Sequence, residues 1–220
     1  PETECVTLHG RAIENLNRYL FPDAKLLILS RDGETPSKVA NLLAMRGFEK
    51  SSMVVLEHMG ADEENRIEGL AESWGQKRCA DLNVIAVSCV AGPRAKPLSP
   101  MPGLCDDVFE NDGQLTKSHV RAATLAALAP FPGHVLWDVG AGCGSVSIEW
   151  MRAQKGAMAL AIESRADRCA MIARNAALLG TPNLKVIEGV APDIFSDLEG
   201  PSPDAIFVGG GASKDGLLSS

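Results

Sequence analysis

No run of lysines and arginines, no CxxC pair and no apolar stretch of bilayer length occurs in the 220 residues. Each absence removes a class of function. Binding to nucleic acid needs a concentrated basic surface, whereas here 21 Lys and Arg face 28 Asp and Glu, a formal charge of -7. The six cysteines, Cys5, Cys79, Cys89, Cys105, Cys143 and Cys169, are scattered, and no histidine stands at ligand spacing from any of them. That pattern excludes a structural zinc site, and no metal is expected. Inside apolar segments such as NVIAVSCVAG a free thiol behaves as a small hydrophobe, which suits a reducing compartment. Spanning a bilayer takes about 20 consecutive apolar residues, and the N-terminus lacks the basic-then-apolar order of a signal peptide. The expectation is a soluble, cytoplasmic, globular protein with no nucleic-acid or membrane partner, in keeping with 45% apolar and 22% charged residues.

Patterns along the chain fall into two regions. Over 1–91 the sequence predicts a helix around GRAIENLNRYL, a strand in AKLLILS, a helix in TPSKVANLLAMRGF, a strand in MVVLE, a charged helix from Asp62 and a strand in NVIAVS. The segment AGPRAKPLSPMPGLCDD then places four prolines and two glycines in 17 residues with neither period. It predicts a linker over 92–113. From Gln114 the pattern restarts with a helix in which Val120, Thr124 and Leu128 recur every four residues, ending at Pro130. A strand (134–139), a helix (145 to about 154), the strand AMALAIE, a helix (165–179), and the strands LKVIE and DAIFV follow. Strand alternating with helix predicts an α/β fold with a parallel doubly wound sheet and right-handed crossovers. Four strands are few for such a sheet, and residue 1 is not methionine. The pattern is therefore expected to be cut at both ends, with an uncovered edge that leaves room for a second copy of the chain.

The segment LWDVGAGCGSVSIEW, residues 136–150, sets three alternate glycines between a strand and a helix. Gly140, Gly142 and Gly144 stand at the carboxyl end of the first strand of the region, where open α/β sheets bind ligands. Glycines there let the backbone approach a ligand closely, and the following helix start offers unpaired N–H groups. Glu163 closes the second strand, 19 residues beyond Gly144. A carboxylate at that place accepts hydrogen bonds from the two hydroxyls of a ribose. Turn and acid together indicate a nucleoside cofactor. The dinucleotide pattern GxGxxG would need a third glycine at 145, where the chain has Ser145. The GxGxG spacing suits a cofactor with no pyrophosphate to cradle, so S-adenosylmethionine is favoured over NAD.

DVGAGCGSVSIEW, AIESRADRCAMIARNA, NLKVIEGVAPDIF and DAIFVGGG together resemble the decarboxylating class I methyltransferase domain of the precorrin-6Y C5,15-methyltransferase family of the cobalamin pathway. GQLTKSHVR is similar to that family's opening helix start, with His119 where an acid is usual. The likeness covers 114–220 and implies a Rossmann-like methyltransferase domain, incomplete at its C-terminus. It implies that Thr116, Gly140, Ala141, Gly142, Cys143 and Gly144 contact S-adenosylmethionine, that Glu163 takes the ribose hydroxyls, and that Ala191 lies by the adenine. It also implies methylation of a precorrin at C5 and C15 with decarboxylation of an acetate side chain, and no catalytic acid or base is singled out. Gly209 and Gly210 of VGGG are expected to leave room for the flat macrocycle. Lys117 and Arg121, at helical spacing beside Thr116, are the candidates for binding its carboxylates. In the first region LHGR, LLILSRDGETPSKVANLLAMRGF and VLEHMG resemble the C-terminal lobe of the tetrapyrrole methylases, the C5-methylating module, whose glycine-rich lobe would precede residue 1. Two other readings stay open: an NAD-dependent oxidoreductase using the same turn, and an inactive fragment of a two-module methyltransferase.

Overall fold

The computed structural model describes residues 2–198 and 200–209. Contacts divide the chain into two units, Pro1–Leu98 and Ser99–Ser220.

In the first unit the strands β1 (Thr3–Thr7), β2 (Lys25–Leu29), β3 (Ser52–Glu57), β4 (Asn65–Leu70) and β5 (Asn83–Ser88) form one sheet in the order β1-β2-β5-β3-β4. Only β1 and β2 run parallel. The sheet is therefore mixed, within the α/β lobe expected. A departure from the expected elements comes where a charged helix was expected from Asp62 and the chain instead forms β4, antiparallel to β3. Its residues alternate with period two: Arg66 and Glu68 pair with each other at 2.7 Å on the exposed face, and Ile67 and Gly69 are half-buried on the other, where a Cβ at Gly69 would stand 3.3 Å from the Trp74 ring. Asn65 Nδ2 donates to the buried Glu57 carboxylate at 2.7 Å and pins the hairpin's register. The segment expected as a first helix is a short 3-10 helix, Ile13–Tyr19, with Leu16 buried. Helix α1 (Thr35–Met45) carries Pro36 in its first turn, and Asp32 Oδ1 accepts the Glu34 and Thr35 amides at 3.0 Å. Val39, Ala40 and Leu43 of α1 bury against the sheet's Leu26, Ile28, Met53, Val55 and Ile85.

The second unit follows the alternation expected of it. Helix α2 (Ser118–Leu128), β6 (Val135–Val139), α3 (Ser145–Ala153), β7 (Met158–Glu163), α4 (Ala166–Leu178), β8 (Lys185–Glu188) and β9 (Ala205–Val208) build a parallel sheet in the order β8-β7-β6-β9. The inner strands β6 and β7 are apolar because both faces are covered; Leu136, Val139, Leu160, Ala161 and Ile162 are all buried. Helix α3 touches β6, β7, α2 and α4, which explains why Ser145 through Arg152 are buried without a break. The α2 stripe read from Val120 is not the packed one: Val120 is 47% exposed, and Arg121 and Leu125 face inward. Residues 99–113 have one 3-10 turn, Asp106–Val108, yet Leu104 and Phe109 in that stretch are buried. After β8 the chain returns to the far side of β6 to form β9. The carboxyl end of β6 is therefore a topological switch point, where open sheets bind ligands. No helix among the described residues is long and apolar enough to cross a membrane.

Candidate functional site

A cleft of about 530 Å³ opens at that switch point. Its floor is the glycine turn. Gly140, Gly142 and Gly144 all have positive φ, 73°, 61° and 78°. The amides of Gly140 and Ala141 donate to the Ile162 carbonyl at 2.9 and 3.1 Å, that of Gly144 donates to the Ala141 carbonyl at 2.8 Å, and that of Gly142 donates to Glu163 Oε2 at 2.9 Å. Glu163 is itself buried, and its other oxygen accepts the Ser164 and Arg165 amides at 2.9 and 3.1 Å and the Ser164 hydroxyl at 3.3 Å. The carboxylate is thus fixed by backbone on both sides, with capacity left on Oε2 for a ligand donor.

One acid in this region is absent from the sequence reading. Asp138, the fourth residue of β6, is 1% exposed; its Oδ2 accepts the Ser147 amide at 3.1 Å and the Ser147 hydroxyl at 2.6 Å, and its Oδ1 has no partner among the described residues. Burial pushes this carboxyl up from 3.8 to about 6; the bonds from Ser147 pull it down, and the nearby charge of Glu163 adds to the rise. A folded pKa above the unfolded one means that the folded state holds the proton more tightly. Stability from Asp138 is then fully present below pH 3.8 and is lost as pH rises through about 6. The gap corresponds to about 3 kcal/mol. Urea unfolding of the wild type and Asp138→Asn at pH 4 and pH 7.5 is expected to show the wild type losing about 2 kcal/mol, most of that amount, relative to the variant. A constant difference between the two proteins would reject the assignment.

A family model described as "Precorrin methyltransferase domain" matches residues 107–220. The chain belongs to this family. A Sinorhizobium sp. relative, named precorrin-6Y C(5,15)-methyltransferase [decarboxylating], is 43% identical over 217 residues, 99% of this chain and 52% of that protein. A Pyrobaculum calidifontis relative, named probable cobalt-precorrin-6B C(15)-methyltransferase (decarboxylating), is 37% identical over 114 residues, 50% of this chain and 57% of that protein. The crystal structure of the C-terminal domain of precorrin-6Y C5,15-methyltransferase from Rhodobacter capsulatus superposes with a TM-score of 0.51 at 46% identity, covering 56% of this chain and 64% of that one. The chain spans about half the length of the curated relatives it matches.

In this precorrin methyltransferase domain Thr116, Gly140, Ala141, Gly142, Cys143, Glu163 and Gly209 all line the cleft. Gly144 supports the turn from behind, against Ile172. Ala191 packs with the cluster of Val139 and Ile162 and is not among the lining residues. Gly210 lies outside the described residues. Gly209 has a packing reason to be glycine: a Cβ there would stand 2.7 Å from the Gly140 carbonyl oxygen, so the chain after β9 meets the turn too closely for a side chain. Arg121 must be corrected as a substrate ligand at the mouth. Neither it nor Lys117 lines the cleft; Lys117 is exposed, with Nζ 3.8 Å from Asp106. Arg121 is 0% exposed, donating to Glu149, Asp106 and the carbonyls of Leu104 and Thr116. Four acceptors of the protein, those of Glu149 and Leu104 buried and those of Asp106 and Thr116 half-buried, already engage its guanidinium. The sequence reading missed Gln114, Leu115, Ser164, Arg168 and Phe207 on the walls. For Ser164 and Arg168 a signal was present, since they follow Glu163 by one and five residues.

Proposed function

We propose that the second unit binds S-adenosylmethionine in this cleft and methylates C15 of a precorrin, with decarboxylation of an acetate side chain. The full activity we assign to the protein is C5 and C15 methylation in cobalamin biosynthesis, and the relatives' names support that reading. The Pyrobaculum calidifontis relative, named for C15 alone, matches only half of this chain. That favours placing the C15 step in a single unit, and the unit with the cleft is the second.

The observation that carries the cofactor assignment is how the turn uses its own hydrogen bonds. The amides of Gly140, Ala141, Gly142 and Gly144 are all donated inside the protein, and the buried Asp138 takes the Ser147 amide at the start of α3. A pyrophosphate cradle needs such amides free and a helix start that is not already facing an anion. With these amides engaged, the turn itself favours a ligand without phosphate, while the Glu163 carboxylate would serve a ribose. The volume lies within the roughly 300–1,000 Å³ of small-molecule sites. When bound, S-adenosylmethionine supplies an electrophilic methyl group on sulfur. Glu163 would hold the ribose, the glycine turn would let the chain of the methionine lie against backbone, and Phe207 and Gly209 would form the side from which the reacting carbon arrives. Alignment of that carbon and exclusion of water are the main tasks of the protein in such a displacement.

Calorimetric titration with S-adenosylhomocysteine and, separately, with NADH tests the reading. The first is expected to bind and the second not. Glu163→Ala removes charge-assisted hydrogen bonds to the ribose and is expected to weaken S-adenosylhomocysteine at least about thirtyfold, roughly 2 kcal/mol. Binding of NADH, or unchanged affinity in the variant, overturns the assignment.

A further inference from the structure

One wall of the cleft has no regular structure. Residues 111–117 run as a loop whose Gln114, Leu115 and Thr116 face the glycine turn. The Gln114 carbonyl oxygen lies 3.7 Å from where a Cβ on Gly142 would stand. Local bonds shape this loop: Asn111 Oδ1 accepts the Gly113 amide at 3.0 Å and Asp112 Oδ1 accepts the Gln114 amide at 3.3 Å. Such bonds do not attach it to the rest of the unit.

Attachment at its midpoint comes from α4. Arg168 donates from Nε and Nη2 to Asp112 Oδ2 at 2.9 and 2.7 Å, and from Nη2 to Gln114 Oε1 at 2.9 Å. Its side chain is 13% exposed and lines the cleft. Arg165 adds a weaker contact to the same Asp112 oxygen at 3.5 Å. The bond from Arg168 holds the Asp112 carboxyl below its ordinary range, so the carboxylate stays ionised at neutral pH. The helix that bears Arg168 starts three residues after Glu163, whose carboxylate already fixes the Ser164 and Arg165 amides. Glu163 and the helix that follows it therefore link the ribose side of the cleft to the facing wall.

We propose that Arg168 is a positioning residue for the cofactor, tying the 111–117 loop to the helix that follows Glu163 so that the two walls of the cleft keep a fixed separation. The proposal rests on the cofactor reading above. A guanidinium suits the task because its fork reaches acceptors on two residues at once, which a lysine, a point donor, cannot do as well.

The experiment pairs calorimetry with amide hydrogen exchange on the same variants. Arg168→Ala is expected to weaken S-adenosylhomocysteine about tenfold and to speed exchange of the 113–116 amides by a similar factor, with the melting temperature near that of the wild type. Arg168→Lys recovers part of both. Arg174→Ala breaks an ion pair of the same kind on the same helix, to Glu110 at 2.6 Å, outside the cleft, and is expected to leave affinity unchanged. Equal loss in Arg174→Ala, or wild-type affinity in Arg168→Ala, overturns the proposal. Exchange is read without ligand, so the two ways of failing are separable. Unchanged exchange in Arg168→Ala rejects the tie itself, whereas faster exchange in a protein that never binds S-adenosylhomocysteine rejects the cofactor reading on which the proposal stands.

Discussion

Arg121→Ala is expected to cost the second unit about 4 kcal/mol of stability, within the 3–5 kcal/mol typical of breaking a buried ion pair from one side. The guanidinium is fully buried, with Nε 2.6 Å from Glu149 Oε1, Nη1 3.2 Å from Asp106 Oδ1, Nη2 2.5 Å from the Leu104 carbonyl, and a further bond to the Thr116 carbonyl. The Phe109 ring lies 4.7 Å from its Cζ. Truncation would leave the Glu149 carboxylate, itself 1% exposed, with only the Gly103 and Leu104 amides as partners among the described residues, at 2.5 and 3.0 Å. It would also strand two carbonyls. Arg121→Lys keeps the charge but cannot reach all four acceptors, and about half the loss is expected to remain. Urea unfolding gives the totals, and the cycle with Glu149→Ala gives the coupling between the two groups. Additive effects in that cycle would show that the two charges do not stabilise each other. Because Arg121 also holds the Thr116 carbonyl, weaker cofactor binding is expected to accompany the loss of stability.

Arg121 also shows where sequence reading ends. At helical spacing beside Lys117 it reads as a candidate for substrate carboxylates, and no local pattern announces that Glu149, 28 residues on, and the backbone of 104 converge on it. Burial of a charge is settled by tertiary matching of donors to acceptors, which periodicity does not record. The same limit hid Asp138, whose partner Ser147 lies in the next helix. By contrast, β6, the turn and Glu163 were legible because a doubly covered parallel strand is an unbroken apolar run and its ligand turn is punctuated by glycine. Two strands of the first unit were obscured by composition. β1, TECVT, is exposed along most of its length, and β4 alternates charge with apolar residues on an edge, so neither has the apolar run of a core strand. Their pairing partners, not their own sequences, make them strands.

Gly144→Ala is expected to destabilise the second unit by about 3–4 kcal/mol, from two separable sources. The first is conformational: φ is +78° at this position, and an L-residue held there costs about 1–2 kcal/mol. The second is steric, because a Cβ would stand 2.8 Å from Ile172 Cγ2 and 3.2 Å from Cγ1 on α4, where Ile172 is fully buried. Overpacking of this kind costs about 1–3 kcal/mol. Ile172→Ala removes both clashing atoms but opens a cavity, itself worth about 2–5 kcal/mol. In the double variant the alanine methyl group enters that space, so the combined loss is expected to fall short of the sum by about 1–2 kcal/mol, leaving the conformational part unrelieved. Urea unfolding of the four proteins measures this directly, and strict additivity would remove the clash from the explanation. Since Gly144 donates to Ala141 and accepts from Ile148, at 2.8 and 2.9 Å, any shift that relieves Ile172 is passed to both ends of the turn. S-adenosylhomocysteine affinity lost in Gly144→Ala is then expected to be partly restored in the double variant although overall stability is not, because the packing of α4 behind the cleft demands the glycine.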